Sequence, residues 1–275
     1  MAEKLIEQGY VVSKDGTRLG FRKLGSGPSL VMIHGSLAEG TEYVQLASAL
    51  SRDFTVWVAD SRGRGLTGDF PADYGSQTVA EDHQALITAA GDDAVLFGHS
   101  FGATSVLLSA SRTAGLAGIV AYEPPLPLNG TLAPEIDAYQ ASIDNDDVDG
   151  AVSRAFTNIV GGTAEELAYV KTTPIWSSMT AIAPSFIPEL RLLDALPDMR
   201  EEVAQISVPL LGIRGGLSPE NLRASTAWVV EAARSGTLVE MANIDHSGHL
   251  SDPEAMARHI TDWYRATASA WRPVR

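Results

Sequence analysis

Ser100 lies in the run Gly98-His99-Ser100-Phe101-Gly102, with apolar Val95-Leu96-Phe97 before it and a small-residue helical stretch after it. A strand that turns sharply into a helix at Gly-x-Ser-x-Gly presents one serine above a sheet edge, the nucleophile elbow. Glycine at 98 and 102 lets helix and strand pack closely and accepts backbone angles that other residues resist. The chemistry this suits is acyl transfer. A serine hydroxyl is a poor nucleophile until a base takes its proton, so a histidine must stand nearby. The chain has six histidines. His99 sits inside the elbow, where neighbours of the nucleophile point away from it, and reads as packing. His34 opens the turn His34-Gly35-Ser36 and reads as a loop brace. His83 and His259 fall within helical patterns. His246 and His249 remain, both in the segment Ile244–Glu254.

The elements that must position these residues alternate. Residues 4–12 and 17–24 read as an opening hairpin around Lys14-Asp15-Gly16. Residues 29–33, 54–59, 94–98, 116–122, 208–213 and 237–241 read as strands, and the wholly apolar ones suit a sheet buried on both faces. Helical spacing covers 41–51, 77–90, 101–113, 219–234 and 252–268. Ser218-Pro219 reads as the N-cap and first-turn proline of the 219–234 helix. Ser251-x-x-Glu254 reads as a capping box for the last helix. Residues 134–200 carry several helical patterns and no strand. The alternation predicts an α/β fold with a mostly parallel central sheet flanked by helices. The helical stretch predicts an inserted cap. The expected division is a core of 1–125 and 207–275 with a helical cap at 126–206.

With 275 residues and 45% hydrophobic content, the chain is long enough for one large α/β domain. Twenty basic against 34 acidic residues leave a net charge of −14, a surface that repels phosphate backbones, so no nucleic-acid partner is expected. The absence of cysteine excludes disulfides, thiolate metal sites and cysteine nucleophiles. The first residues lack a signal-peptide pattern, and no apolar run is long enough to span a bilayer; a soluble cytoplasmic protein is expected, with no membrane partner. No metal-ligand spacing and no phosphate-cradling glycine loop is found, so neither metal nor cofactor is expected.

Four motifs in order resemble the α/β-hydrolase superfamily over nearly the whole chain: His34-Gly35-Ser36, Asp60-Ser61-Arg62-Gly63-Arg64-Gly65, the Ser100 elbow and a late His246. The resemblance implies Ser100 as nucleophile and, from the register of the loop before the last helix, His246 as base with His249 packing beside it. The acid usually follows the 208–213 strand, yet Ser218 stands near that position. A second superfamily position lies after the strand that follows the elbow helix, where this chain reads Glu123-Pro124-Pro125. Ser100, Glu123 and His246 then resemble the Ser–Glu–His layout of zearalenone-type lactonases. Glu220, in the first turn of the next helix, remains the alternative acid, and Asp245 a weaker one. The resemblance implies an oxyanion hole from the backbone N–H groups of Phe101 and Ser36, with Leu37 as fallback. Asp60 and Arg62 read as loop pins. In the cap, Trp176 is expected to face substrate, together with Leu37. The implied activity is hydrolysis of a carboxylic ester or lactone of an apolar small molecule through an acyl-enzyme on Ser100. A carbon–carbon hydrolase or perhydrolase using the same triad, and a catalytically silent ligand-binding relative, are the alternatives. A homodimer is left open.

Overall fold

Residues 6–71, 73–91, 93–126 and 130–268 are described by a computed structural model of the chain. Its strands are β1 (Glu7–Val12), β2 (Arg18–Gly25), β3 (Ser29–Ile33), β4 (Thr55–Ala59), β5 (Ala94–His99), β6 (Leu116–Tyr122), β7 (Leu210–Gly215) and β8 (Gly236–Met241). They form one sheet in the order β1-β2-β4-β3-β5-β6-β7-β8. Only the β1–β2 and β2–β4 pairs are antiparallel. The opening hairpin is present from Glu7; residues 4 and 5 of its expected span lie outside the described residues.

The core helices are α1 (Val44–Leu50), α2 (Ser76–Ala90) and α3 (Phe101–Ala110). Six more follow between β6 and β7: α4 (Ala133–Asp144), α5 (Val148–Arg154), α6 (Ala164–Val170), α7 (Pro174–Ala181), α8 (Phe186–Asp194) and α9 (Met199–Gln205). After β7 come α10 (Glu220–Ala232), the single turn α11 (Gly248–Ser251) and α12 (Pro253–Ala268). The apolar strands are explained by their two covered faces. Val31, Ile33 and Leu96 pack with α2, α3, α9 and α10. Leu30, Met32, Val95 and Phe97 pack with α1 and α12. In α12 the buried Met256, Ile260 and Trp263 recur at helical spacing and form its core-facing stripe.

The long helical insert has two packing allegiances. Helices α4, α5, α7 and α8 share their own apolar cluster, which includes Tyr139, Val152, Trp176, Phe186 and Leu190. Met199 and Val203 of α9 instead bury in the core layer. A buried ion pair ties this upper cluster to the sheet. Arg64, in the loop after β4, donates through Nη2 to Glu189 of α8 at 3.0 Å and through Nη1 to the Ser185 carbonyl at 3.3 Å. Both partners are fully buried, and that burial raises the Glu189 carboxyl above its ordinary range.

Asp60 and Arg62 act as the loop pins their setting suggests. Asp60 accepts from Arg22 and from the N–H groups of Gly40 and Leu66. Arg62 is held by Asp82, Asp15 and Thr17. Two expected helix starts need correction. The side chain capping α12 is Asp252, whose Oδ1 accepts from Ala255 N–H at 2.9 Å; Ser251 has been drawn into α11, and its hydroxyl turns back to the Ser247 carbonyl. Ser218 does not cap α10: its hydroxyl is buried without a hydrogen-bond partner, and Pro219 is the residue preceding the helix.

Candidate active site

The elbow is built by close backbone approach. A Cβ on Gly98 would lie 2.4 Å from the Gly102 carbonyl oxygen, and one on Gly102 would lie 2.4 Å from that of His34, so neither position tolerates a side chain. Between them Ser100 holds φ at +54°, a region a side-chain-bearing residue rarely adopts. It is locked there by its N–H, which donates to the Tyr122 carbonyl at 2.9 Å, and by its carbonyl, which accepts from Ala103 and Thr104.

The structure brings Glu123 and His246 together. Glu123 directly follows β6, with φ +50°, and is fully buried. Its Oε1 accepts from Gly215 N–H of β7 at 2.6 Å, and its Oε2 lies 2.5 Å from His246 Nδ1. A carboxylate can only accept, so Nδ1 carries the ring proton and Nε2 keeps its lone pair. The preceding residue, Tyr122, secures the same loop from the other side. Its hydroxyl donates to the Asp245 carbonyl at 2.6 Å and accepts from Gly248 N–H at 3.0 Å. Glu220 is elsewhere: its side chain is 81% exposed and pairs with Arg223. Asp245 folds back on its own turn, accepting from Ser247 N–H.

Three further histidines, His34, His99 and His249, lie near this pair, and burial lowers the pKa of each. His99 Nδ1 lies 2.6 Å from the Tyr43 hydroxyl, which also accepts from Gly35 N–H. Tyr43 therefore donates to His99. Burial and the neighbouring histidines push the His99 pKa well below the ordinary value. His34 braces its loop: Nε2 accepts from Ser61 N–H at 2.9 Å and Nδ1 meets the Gly35 carbonyl. His249 stacks on Tyr43 with ring centroids 4.4 Å apart, and its Nε2 lies 3.1 Å from Glu42 Oε1.

Gly35 sits against the nucleophile; a Cβ there would lie 3.1 Å from Ser100 Cβ. Because its N–H is taken by Tyr43, the loop's candidate oxyanion donors are the next residues, Ser36 and Leu37. Leu37 has φ +55°, which bends the loop sharply here. Phe101 is the first residue of α3, so its N–H is among those a helix leaves without an internal partner.

A cavity of about 170 Å³ lies over these groups. Ser100, His246, His99, His249, Ser36, Leu37 and Glu42 line it, and Phe156, Val160, Val170, Ile175, Met179 and Phe186 are among its apolar walls. Trp176 requires correction. The cavity is walled by its neighbours Ile175 and Met179, whereas Trp176 is buried in the cluster shared by α4, α5, α7 and α8, donates from Nε1 to Asp149 at 2.9 Å and carries Lys171 over its ring. The aromatic character of this segment was legible, but which helical face looks downward depends on how α7 is rolled. Tyr43, Tyr122 and Glu42 were missed. The adjacency of Tyr122 to Glu123 at a strand end was the one available signal.

Among the described residues no helix is long and apolar enough to cross a membrane. The chain is 25% identical over 257 residues to 2-(acetamidomethylene)succinate hydrolase of Mesorhizobium japonicum, covering 90% of this chain and 92% of that one. It is 26% identical over 210 residues to the pimeloyl-[acyl-carrier protein] methyl ester esterase of Vibrio parahaemolyticus, covering 73% and 80%. A solved alpha/beta hydrolase from Sphaerobacter thermophilus superposes with a TM-score of 0.83 at 29% identity, covering 93% of this chain and all of that one. Residues 30–259 match the alpha/beta hydrolase family as a whole, a span that takes in the elbow, Glu123 and His246. With sheet order, elbow and sequence all in agreement, the chain belongs to the alpha/beta hydrolase family and is a hydrolase.

Proposed function

We propose that this hydrolase cleaves a carboxylic ester or lactone of an apolar small molecule through an acyl-enzyme on Ser100. The carrying observation is the 2.5 Å contact between His246 Nδ1 and fully buried Glu123, beside a strained serine that lines the same cavity. His246 Nε2 takes the proton from Ser100 Oγ as Oγ bonds to the carbonyl carbon and the carbonyl π pair moves onto oxygen. The N–H groups of Phe101 and Ser36 hold that oxyanion. Its collapse breaks the bond to the leaving oxygen, which receives the proton from His246. Water then repeats the sequence on the acyl-enzyme, releasing the acid and restoring Ser100. Glu123 keeps Nδ1 protonated and stabilises the imidazolium of each step.

The apolar walls of the cavity support a substrate with a hydrocarbon acyl or alcohol part. The dicarboxylate in the name of the Mesorhizobium relative is not carried over, because no Lys or Arg stands among the described lining residues to receive it. The missing acid at Ser218 favours a silent binding protein; the buried carboxylate of Glu123 beside His246 supports the hydrolytic reading instead. The test is a panel of esters and lactones run with wild type and Ser100→Ala, alongside fluorophosphonate labelling. The reading expects labelling at Ser100 and turnover that Ser100→Ala abolishes. Turnover surviving in Ser100→Ala, or a Ser100 inert to the phosphonate, refutes it.

A further inference from the structure

We propose that Glu42 determines which charge the substrate can carry, admitting neutral and cationic esters to Ser100 and rejecting anionic ones. The inference rests on the hydrolase reading above and names the substrate class within it.

Glu42 lies on the 3-10 turn Gly40–Tyr43, directly before α1. It lines the inner cavity over Ser100. It also lines a larger outer pocket of about 410 Å³ between this turn and α7. Leu37, Ala38 and Ile175 belong to both walls as well, so the two spaces adjoin along one rim and Glu42 stands on it. Among the described lining residues of both spaces there is no Lys or Arg; the outer pocket adds a second carboxylate, Glu39, whose Oε1 accepts from the Thr41 hydroxyl.

The charge on Glu42 is left uncompensated by its neighbours. Among the described residues its ion-pair partner is His249, at 3.1 Å. Burial lowers the His249 pKa, which keeps that ring neutral at pH 7, donating its Nε2–H without cancelling the carboxylate. The Glu42 side chain is 21% exposed, so water screens it only partly. A substrate carboxylate held about 8 Å away, at an effective dielectric constant of about 20 to 40, meets repulsion equivalent to about five- to thirtyfold in kcat/KM. The same field acts on the carboxylate that hydrolysis produces and favours its departure. An apolar cavity whose rim carries a carboxylate hydrogen-bonded only to a neutral ring therefore reads as a charge filter rather than as a bare hydrophobic slot.

Three 4-nitrophenyl esters of similar length separate the outcomes: the neutral valerate, the anionic hemiglutarate and the cationic 4-(trimethylammonio)butyrate. The assay reads kcat/KM ratios between esters, so a general loss of activity cancels. Wild type is expected to prefer valerate over hemiglutarate by at least about fivefold beyond their non-enzymatic reactivity, with the gap narrowing in 1 M salt. Glu42→Gln, which keeps an oxygen for His249, should raise the hemiglutarate-to-valerate ratio about tenfold and lower the ratio for the cationic ester. Glu42→Lys should carry both changes further. Ratios within about twofold of wild type in both variants overturn the filter while leaving ester hydrolysis intact. A wild type that turns over none of the three and does not label at Ser100 overturns the hydrolase reading and the filter with it.

Discussion

Replacing Glu123 by Gln isolates one function of that side chain. Glu123 Oε1 accepts from Gly215 N–H at 2.6 Å, and a Gln carbonyl oxygen can accept there equally well, so the link to β7 survives. Glu123→Ala would instead orphan that buried N–H, at about 1–3 kcal/mol, and mix stability with catalysis. In the Gln variant the other terminal atom becomes an NH2 group facing His246 Nδ1, where Oε2 now lies at 2.5 Å. Two donors cannot face each other. The ring must shift its proton to Nε2, and the base then has no lone pair for the Ser100 proton. An enforced wrong tautomer in a Ser–His–acid triad lowers kcat on the order of ten-thousandfold, about 5 kcal/mol of barrier. The assay is the pseudo-first-order rate of fluorophosphonate acylation at Ser100, with urea unfolding as a check that the variant is folded. Glu220→Gln serves as the control; its side chain is 81% exposed and bound to Arg223, so its acylation rate should stay within about twofold. A folded Glu123→Gln that acylates at the wild-type rate, or a Glu220→Gln that loses acylation, refutes the assignment of the acid.

Tyr122→Phe removes the hydroxyl that spans Asp245 and Gly248, freeing the loop that carries His246. It should lower kcat about tenfold and stability by about 1–3 kcal/mol through the orphaned Gly248 N–H, measured by steady-state kinetics and urea unfolding. Trp176→Phe deletes the bond to Asp149 beside the α4–α8 apolar cluster, so the melting temperature should fall while KM stays within about twofold; a large KM change would return Trp176 to the substrate wall. His83 is buried against the Ser109 hydroxyl with its pKa lowered to about 4 by desolvation. The unfolded ring titrates near 6.5. Between those values the unfolded state binds more protons, so stability falls as pH drops from about 6.5 to about 4, by about 3 kcal/mol from this residue. Unfolding midpoints across that range should fall less steeply in His83→Gln, and equal slopes would contradict the buried neutral state.

The sequence by itself determined the elements and the chemistry available to them. Short continuous apolar runs, the glycines at 98 and 102 and the Gly-x-Ser-x-Gly string are local signals, and local backbone sterics are enough to make them a strand, an elbow and a helix. Glu123 was legible only through a resemblance, because no local pattern links it to a histidine 123 residues away. Parallel pairing of β6 with β7 and of β7 with β8 brings the two together, by aligning strand ends whose connections are long. Side-chain direction in the helical insert was likewise beyond the sequence. Trp176 and Ile175 are neighbours of equal apolar promise, and only the packing of α7 on α5 decides that one fills the cluster between these helices and the other walls the cavity. The caps of α10 and α12 slipped for a related reason, since a hydroxyl chooses among backbone groups that tertiary packing has already arranged. Glu42 shows the limit most plainly: one of the chain's 34 acidic residues, it is set apart from a solvated surface charge only by the cavity that closes around it.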